Sequence, residues 1–469
     1  MFREAITSVA ASLVLTGIAS AQAGDVAIQA AMGSPVQGLT ASQLDRFQKG
    51  ALEFDHILID SEGLGPCFND SGCVQCHSTP KPGGSSALFV QRFGKAATGS
   101  TPFDPLADLG GSLLQASAID PAVQEVIPPE ADVTTHRTTP SAFGAGLVQA
   151  ISDDVLRNLA QNPPSGFVHG VAHEVTLLED PQGPTHVGRF GWKAQVATML
   201  SFSGDASLNE MGLTNALVGT ENAPNGNQAL LQQYDLVPDP EDQPDAEGFT
   251  RIERMDDFQR FLAAPPQTPK SGMTGATLFN QIGCADCHVA TYTTTAQPEA
   301  ALSNKVIHPY SDFLLHDMGT LGDNIVQGMG TEKLMRTSSL WGMAARAQFG
   351  LLHDGSAVDG TAEENIAKAI AAHDGEGAHS RGAFSPGLSA EDQAKVLAFV
   401  MSLGRLEFDA EKDNDVDAID WFVIHLSGWF QGPGAGSVTP DSPAAVADID
   451  QDGDVDLVDF GLMQRAMTP

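Results

Sequence analysis

Basic residues are scarce in this chain: 24 Lys and Arg stand against 59 Asp and Glu, a formal charge of −35. That balance argues against nucleic acid or an anionic membrane face as a partner, because both carry the same sign. A basic partner is favoured instead. Cysteine is scarcer still. The five thiols, Cys67, Cys73, Cys76, Cys284 and Cys287, are an odd number and a poor disulfide framework. Past the N-terminus no run approaches the ~18 apolar residues that a spanning helix needs. Strand-like alternation is sparse. What is present suits a globular protein: 469 residues, 42% hydrophobic and 18% charged, enough for two or three domains.

The chain opens with Met1-Phe2-Arg3, an apolar small-residue run, and Ala21-Gln22-Ala23 before Gly24. This pattern predicts a signal peptide over 1–23 and export to the periplasm or beyond; a membrane anchor is the alternative. Residues 37–262 form the first large segment and include LTASQLDRFQKGALEF. There Leu44, Phe47, Leu52 and Phe54 follow a helical period, and Thr40 or Ser42 can cap it. A Pro/Gly-rich linker, 263–272, precedes a second segment, 273–406, closed by an amphipathic helix ending near Leu406. Residues 407–469 form an acidic tail. The reading is mainly helical, with long loops.

Two stretches, FNDSGCVQCH at 68–77 and FNQIGCADCH at 279–288, share the pattern F-N-x-x-G-C-x-x-C-H. Two thiols on one helical turn can each bond a haem vinyl group, and the following His sits beneath the iron. Zinc would need two further ligands, and no second Cys pair lies nearby. A dithiol redox site leaves the repeated His unexplained. Covalent haem at Cys73/Cys76/His77 and at Cys284/Cys287/His288 accounts for both. Cys67, with no basic group beside it, reads as a passive thiol.

The opposite axial position separates a reactive iron from an electron carrier. No His or Met occurs between His77 and His136, so the first iron lacks a ligand close in sequence; His136 is the candidate that could reach back. The second half offers His308, His316, Met318, Met343, His353 and His373.

The tail carries its own repeat. Asp409, Glu411, Asp413, Asp415, Asp417 and Asp420 match Asp448, Asp450, Asp452, Asp454, Asp456 and Asp459. The spacing 1, 3, 5, 7, 9, 12 is that of a calcium loop, with Gly453 at position six and Asp in place of Glu at position twelve. A solvated acidic tail is the alternative. Two loops, each followed by one helix, resemble a dockerin module, which implies a cohesin-like partner and a role in attachment.

Seven ordered stretches carry a wider resemblance. GLGPCFNDSGCVQCHSTPKPGG, RTTPSAFGAGLVQAI, GRFGWKAQVATML, EMGLTN, PYSDFLLHDMGTLGD, SLWGMAARAQFGLLHDG and AIAAHDGE occur in order, within a resemblance that runs from about Gly38 to Leu406. Together they resemble the di-haem oxidoreductase family, itself similar to bacterial di-haem cytochrome c peroxidases and the methylamine dehydrogenase maturation enzyme. The resemblance implies two cytochrome c-like haem domains. It also implies Glu210, of the Glu-Met pair, over an open first haem, and Trp192 as a relay between haems. The second distal ligand lies downstream of His353-Asp354-Gly355 and corresponds to His373, although VDGTAEEN looks like an insertion there. The group also allows a calcium ion between the haems, for which no ligand set stands out. The expected activity is peroxidase-like, using peroxide or another small oxidant and an electron-donor protein. The alternatives are a plain electron-transfer cytochrome and an enzyme that oxidises side chains of another protein.

Overall fold

Several helices begin where the sequence supplies caps. In this computed structural model, which describes residues 28–328 and 330–467, Thr40 and Gln43 form a reciprocal capping box that opens helix Ala41–Phe54. Thr250 and Glu253 do the same for helix Arg251–Phe261. The two helices pack through aromatic rings: Phe47 and Phe54 lie 5.2 and 4.7 Å from Phe258, centroid to centroid. Gly50 permits this approach, since a Cβ there would lie 2.4 Å from the Arg254 carbonyl oxygen. Leu44 and Leu52, placed on the apolar face by periodicity, are 38% and 74% exposed. The buried stripe is Phe47, Gly50 and Phe54. The expected signal peptide lies outside the described residues.

Fourteen α-helices and eleven short strands are formed among the described residues. Helix takes 35% of the described residues and strand 10%, so loop outweighs both. The main sheet has three antiparallel strands, with Phe89–Gly94 between Leu113–Leu114 and Val133–Thr138. In the second half, helix Thr274–Gln281 crosses helix Ala390–Ser402 at Gly275, where a Cβ would meet the Lys395 carbonyl oxygen at 2.0 Å. Phe279 and Phe399 close that contact at 5.4 Å. Helix Ala390–Ser402 is capped at Leu403, short of Leu406.

One core gathers Phe47, Phe54, Leu156, Phe258 and Phe261, and Tyr292, Phe313 and Leu314 from beyond the second C-x-x-C-H join it. A second core holds Phe279, Met343, Ile366, Val396 and Phe399. Stretch 263–272 is packed rather than free: Ala263 and Thr268 are 3% exposed, and the Thr268 amide donates to Ser402 over 3.0 Å. The tail has its own core of Phe408, Val416, Ile424, Val446, Val455 and Leu462. Its buried Glu407 pairs with Lys270 at 2.8 Å and takes the Gln29 amide at 2.9 Å. No helix among the described residues is long and apolar enough to cross a membrane.

Candidate functional site

The first C-x-x-C-H begins at Gly72, where a Cβ would lie 2.6 Å from the His56 carbonyl oxygen. Cys73–Cys76 make one helical turn, and the His77 amide closes it on Cys73 over 3.0 Å. His77 Nδ1 lies 3.0 Å from the Gly84 carbonyl oxygen, which fixes the proton on Nδ1 and leaves Nε2 its lone pair. Burial lowers the imidazole pKa to about 4, so the ring is neutral, as a ligand must be. The second motif reaches the same end by another route. Gly283, at φ +82°, turns the chain out of helix Thr274–Gln281. The His288 amide bonds Cys284 over 3.0 Å, and His288 Nδ1 lies 2.9 Å from the Tyr310 carbonyl oxygen. Burial again lowers the pKa to about 4.

Each motif lines a separate large cavity. The first is lined by Cys73, Cys76, His77, Arg92, Trp192 and Glu210. The second is lined by Cys284, Cys287, His288, Arg336, Arg346 and His373. Buried arginines with no carboxylate partner support an anionic cofactor. Arg92 Nε is buried without a hydrogen bond. Burial brings Arg336 and Arg346 down to about 10, and the neighbouring Arg346 charge lowers Arg336 further. Haem, with two carboxylates, two thioether positions and one iron, fits this donor set at both cavities.

In the first cavity, Glu210 lies near the end of helix Met199–Met211, which stops at Gly212 with φ +66°. The loop before the haem motif docks on that end: the Asn69 amide donates to the Glu210 carbonyl oxygen over 2.8 Å. Asn69 Nδ2 donates to Glu210 Oε2 over 2.7 Å. Burial raises the carboxyl pKa, opposed by Asn69 and Arg92. Among the described residues, the lining contains no histidine besides His77. His136 lies at the surface, its ring 4.2 Å from Phe89.

Trp192 lines both cavities. Its Nε1 donates to the Thr138 carbonyl oxygen over 2.8 Å, and the Arg346 guanidinium lies 5.2 Å from its ring. His353 meets it edge-on at 6.2 Å.

The second cavity sorts its histidines. His316 has both nitrogens engaged, Nε2 by Asp312 and Nδ1 by Glu376, each at 2.8 Å. His308 is exposed and bonded to Thr291 at 3.0 Å. His373 caps helix Ala362–Ala372, with Nδ1 2.7 Å from the Ala369 carbonyl oxygen. Its Nε2 therefore keeps a lone pair in the cavity that contains His288. Met318 and Met343 also reach this lining. Sequence reasoning missed Asn69, Arg92 and the carboxylates Asp312 and Glu376 that clasp His316. Asn69 stood in the repeat itself, in the FN before each haem motif.

In the tail, Glu411, Asp417 and Asp420 bring carboxylate oxygens within 4.8 Å of one another, as do Asp448, Asp450 and Asp459. Asp409 instead accepts loop amides from Lys412, Asp413 and Asn414. Asp413, Asp415, Asp452, Asp454 and Asp456 fall outside these two clusters.

No curated protein matches this chain. Among solved structures, a MauG-like protein associated with microbial copper homeostasis is similar at 16% identity and TM-score 0.33, over 80% of this chain and 93% of that one. Hydrazine synthase from Kuenenia stuttgartiensis is similar at 12% identity and TM-score 0.35, over 86% of this chain and all of that one. A family model described as "Di-haem oxidoreductase, putative peroxidase" matches residues 128–403. That span includes Trp192, Glu210, the second haem motif and His373, and the chain belongs to the di-haem oxidoreductase family.

Proposed function

We propose that this chain is an exported peroxidase-type oxidoreductase with two covalent c-type haems, a reactive one on His77 and an electron-transfer one on His288. Its units are then 37–262, 273–406 and a calcium-binding, dockerin-like 407–469. When bound, haem iron supplies one-electron chemistry and a sixth position that decides whether a small oxidant can enter. The observation that carries the reading is the asymmetry of the two cavities. The first has His77 and a buried carboxyl, Glu210, with no second histidine in its described lining. The second has His288 and the free nitrogen of His373.

Glu210 Oε2 is taken by Asn69, which leaves Oε1 to accept a proton from one peroxide oxygen and return it to the other. Asn69 orients the carboxyl for that transfer. Trp192, common to both linings, offers an aromatic bridge between the cavities. Electron paramagnetic resonance of the oxidised holoprotein tests this arrangement. One high-spin and one low-spin haem are expected. Two six-coordinate low-spin haems without peroxide turnover would establish the electron-carrier reading instead.

Export predicts a mature N-terminus at Gly24, readable by mass spectrometry of the purified protein. In the tail, the paired acidic clusters support calcium, and calcium is expected to raise the tail's melting temperature. A tail indifferent to calcium and chelator would refute that assignment. Ile419, Phe422 and Leu426 on helix Ala418–Leu426, with Leu457 on helix Leu457–Ala466, are exposed. Such apolar side chains support a cohesin-like attachment partner.

A further inference from the structure

Lys193, next to Trp192, has a fully buried side chain with no exposed surface. Its Nζ donates to the carbonyl oxygens of Thr331 at 2.6 Å and Leu334 at 2.8 Å, with Glu332 at 3.4 Å. Asp323 Oδ1 completes the cage at 2.7 Å. Three carbonyls and a carboxylate are the oxygen donors that a hard cation takes. Here the cation is covalently part of the chain. Burial lowers the ammonium to about 8, against the pull of Asp323, so it remains charged at neutral pH.

The cage is also a strut. Asp323 Oδ2 takes Arg137 at 2.7 Å, and Arg137 stands on strand Val133–Thr138 in the wall of the first cavity. The carbonyls lead into strand Leu334–Arg336, whose Arg336 lines the second cavity and donates its amide to the Trp192 carbonyl oxygen over 2.9 Å. His173 Nδ1 lies 2.8 Å from the Lys193 carbonyl oxygen. One carboxylate thus joins both cavity walls to the segment that carries Trp192. The cluster holds two cations and one anion, and Glu332, whose carboxylate also pulls on Lys193, is half-buried.

We propose that Lys193 is a positioning residue: a tethered cation that takes the place of a metal ion in an oxygen cage, fixes Trp192 between the cavities and places net positive charge there. The charge effect rests on the reading of both cavities as haem sites; the strut does not. A nearby positive charge favours the reduced iron and raises its potential.

The test uses the full-length holoprotein, with spectroelectrochemical titration of both haems and thermal melting. Lys193→Met, which refills the volume without charge, is expected to lower the potential of the haem on His77. A tenfold change in the redox equilibrium reads as about 59 mV. Its melting temperature should fall by roughly 5 °C. Asp323→Asn, which removes the anion, should move the potential upward. Opposite signs mark a charge effect that loss of packing alone would not produce. Unchanged potentials, or shifts of one sign in both variants, overturn the electrostatic role. If Lys193→Met does not accumulate folded, Asp323→Asn alone carries the sign test. If the wild-type chain shows no haem by pyridine haemochrome assay, the cavity reading fails. The strut is then judged by melting, and a Lys193→Met variant as stable as the wild type overturns it.

Discussion

Asn69 holds Glu210 by side chain and backbone together: Nδ2 to Oε2 at 2.7 Å, and amide to carbonyl oxygen at 2.8 Å. Its counterpart in the second motif, Asn280, donates to Ala276 at 2.8 Å within its own helix. The two F-N-x-x-G-C-x-x-C-H copies therefore share their attachment chemistry and diverge at the asparagine. In the first copy, the chain that presents His77 also fixes the carboxyl of the same cavity.

Replacing that carboxyl should separate proton transfer from haem binding. Glu210→Gln is expected to lower peroxide turnover by roughly 10²–10⁴-fold while leaving the haem spectra intact. Asn69→Ala should cost less, about tenfold, because the carboxyl remains but loses its orientation. Steady-state peroxide assays on spectrally intact protein decide this, and full activity in Glu210→Gln would exclude the carboxyl from the reaction.

Gly50→Ala tests the close helix contact that frames the first cavity. On an open helix the change would stabilise by about 1 kcal/mol. Here the added Cβ would lie 2.4 Å from the Arg254 carbonyl oxygen and 2.8 Å from the Phe258 nitrogen. Helix Ala41–Phe54 must move away from helix Arg251–Phe261, at a cost of about 1–3 kcal/mol. Thermal melting should show a lower Tm for Gly50→Ala. An unchanged or higher Tm would show that the helices can separate freely.

What was legible in the sequence was chemistry tied to local spacing. Both haem motifs, the Thr40 cap and the acidic tail loops depend on residues a few positions apart. The expectations for His373 and Glu210 came from a family resemblance, because the cavities they line are assembled from distant segments. The periodicity of 41–54 misplaced Leu44 and Leu52, since the face is chosen by Phe258 and Arg254, some two hundred positions away. The Pro/Gly-rich stretch 263–272 reads as a linker by composition, yet Thr268 is pinned to Ser402 across the fold. The Lys193–Asp323–Arg137 cluster left no local signal, because each member is an ordinary charged residue until the fold removes water from it.

Stability should fall as pH rises through neutrality. Burial, then the neighbouring Asp239, raises Glu221 to about 8, and burial raises Asp256 and Glu241 to about 7. Acids whose folded pKa lies above the unfolded value bind protons better when folded. Their contribution is fully present below the unfolded pKa, near 4, and is lost as pH rises through about 7 to 8. Above the range in which the buried histidines titrate, melting temperature should therefore decline from about pH 7 to about pH 8. Glu221→Gln should flatten that slope by up to one proton's worth. An unchanged slope in this variant would mean that Glu221 ionises as freely in the folded chain as in the unfolded one.

The second cavity should depend on a clasp that touches no iron. His316 lies between Asp312 and Glu376 at 2.8 Å from each, and Glu376 also accepts the His169 amide at 2.7 Å. Two residues nearer His373, Asp374 accepts from Thr320 Oγ1 at 2.7 Å. Segment 373–377, and with it His373, is held against strand Leu315–Asp317. Burial opposes charge on His316, but Asp312, Cys287 and Glu376 hold its proton and raise the pKa to about 12. His316→Asn keeps a polar side chain and removes the cation, leaving two buried carboxylates to repel. Breaking such a buried pair costs about 3–5 kcal/mol, enough to free the segment locally. The low-spin signal of the haem on His288 should then give way in part to a high-spin one, as it should more completely in His373→Ala. The first haem should keep its spectrum in both variants, which separates local release from general unfolding. If His316→Asn keeps the wild-type low-spin signal while His373→Ala loses it, His373 is held by its helix alone and the clasp only stabilises the fold.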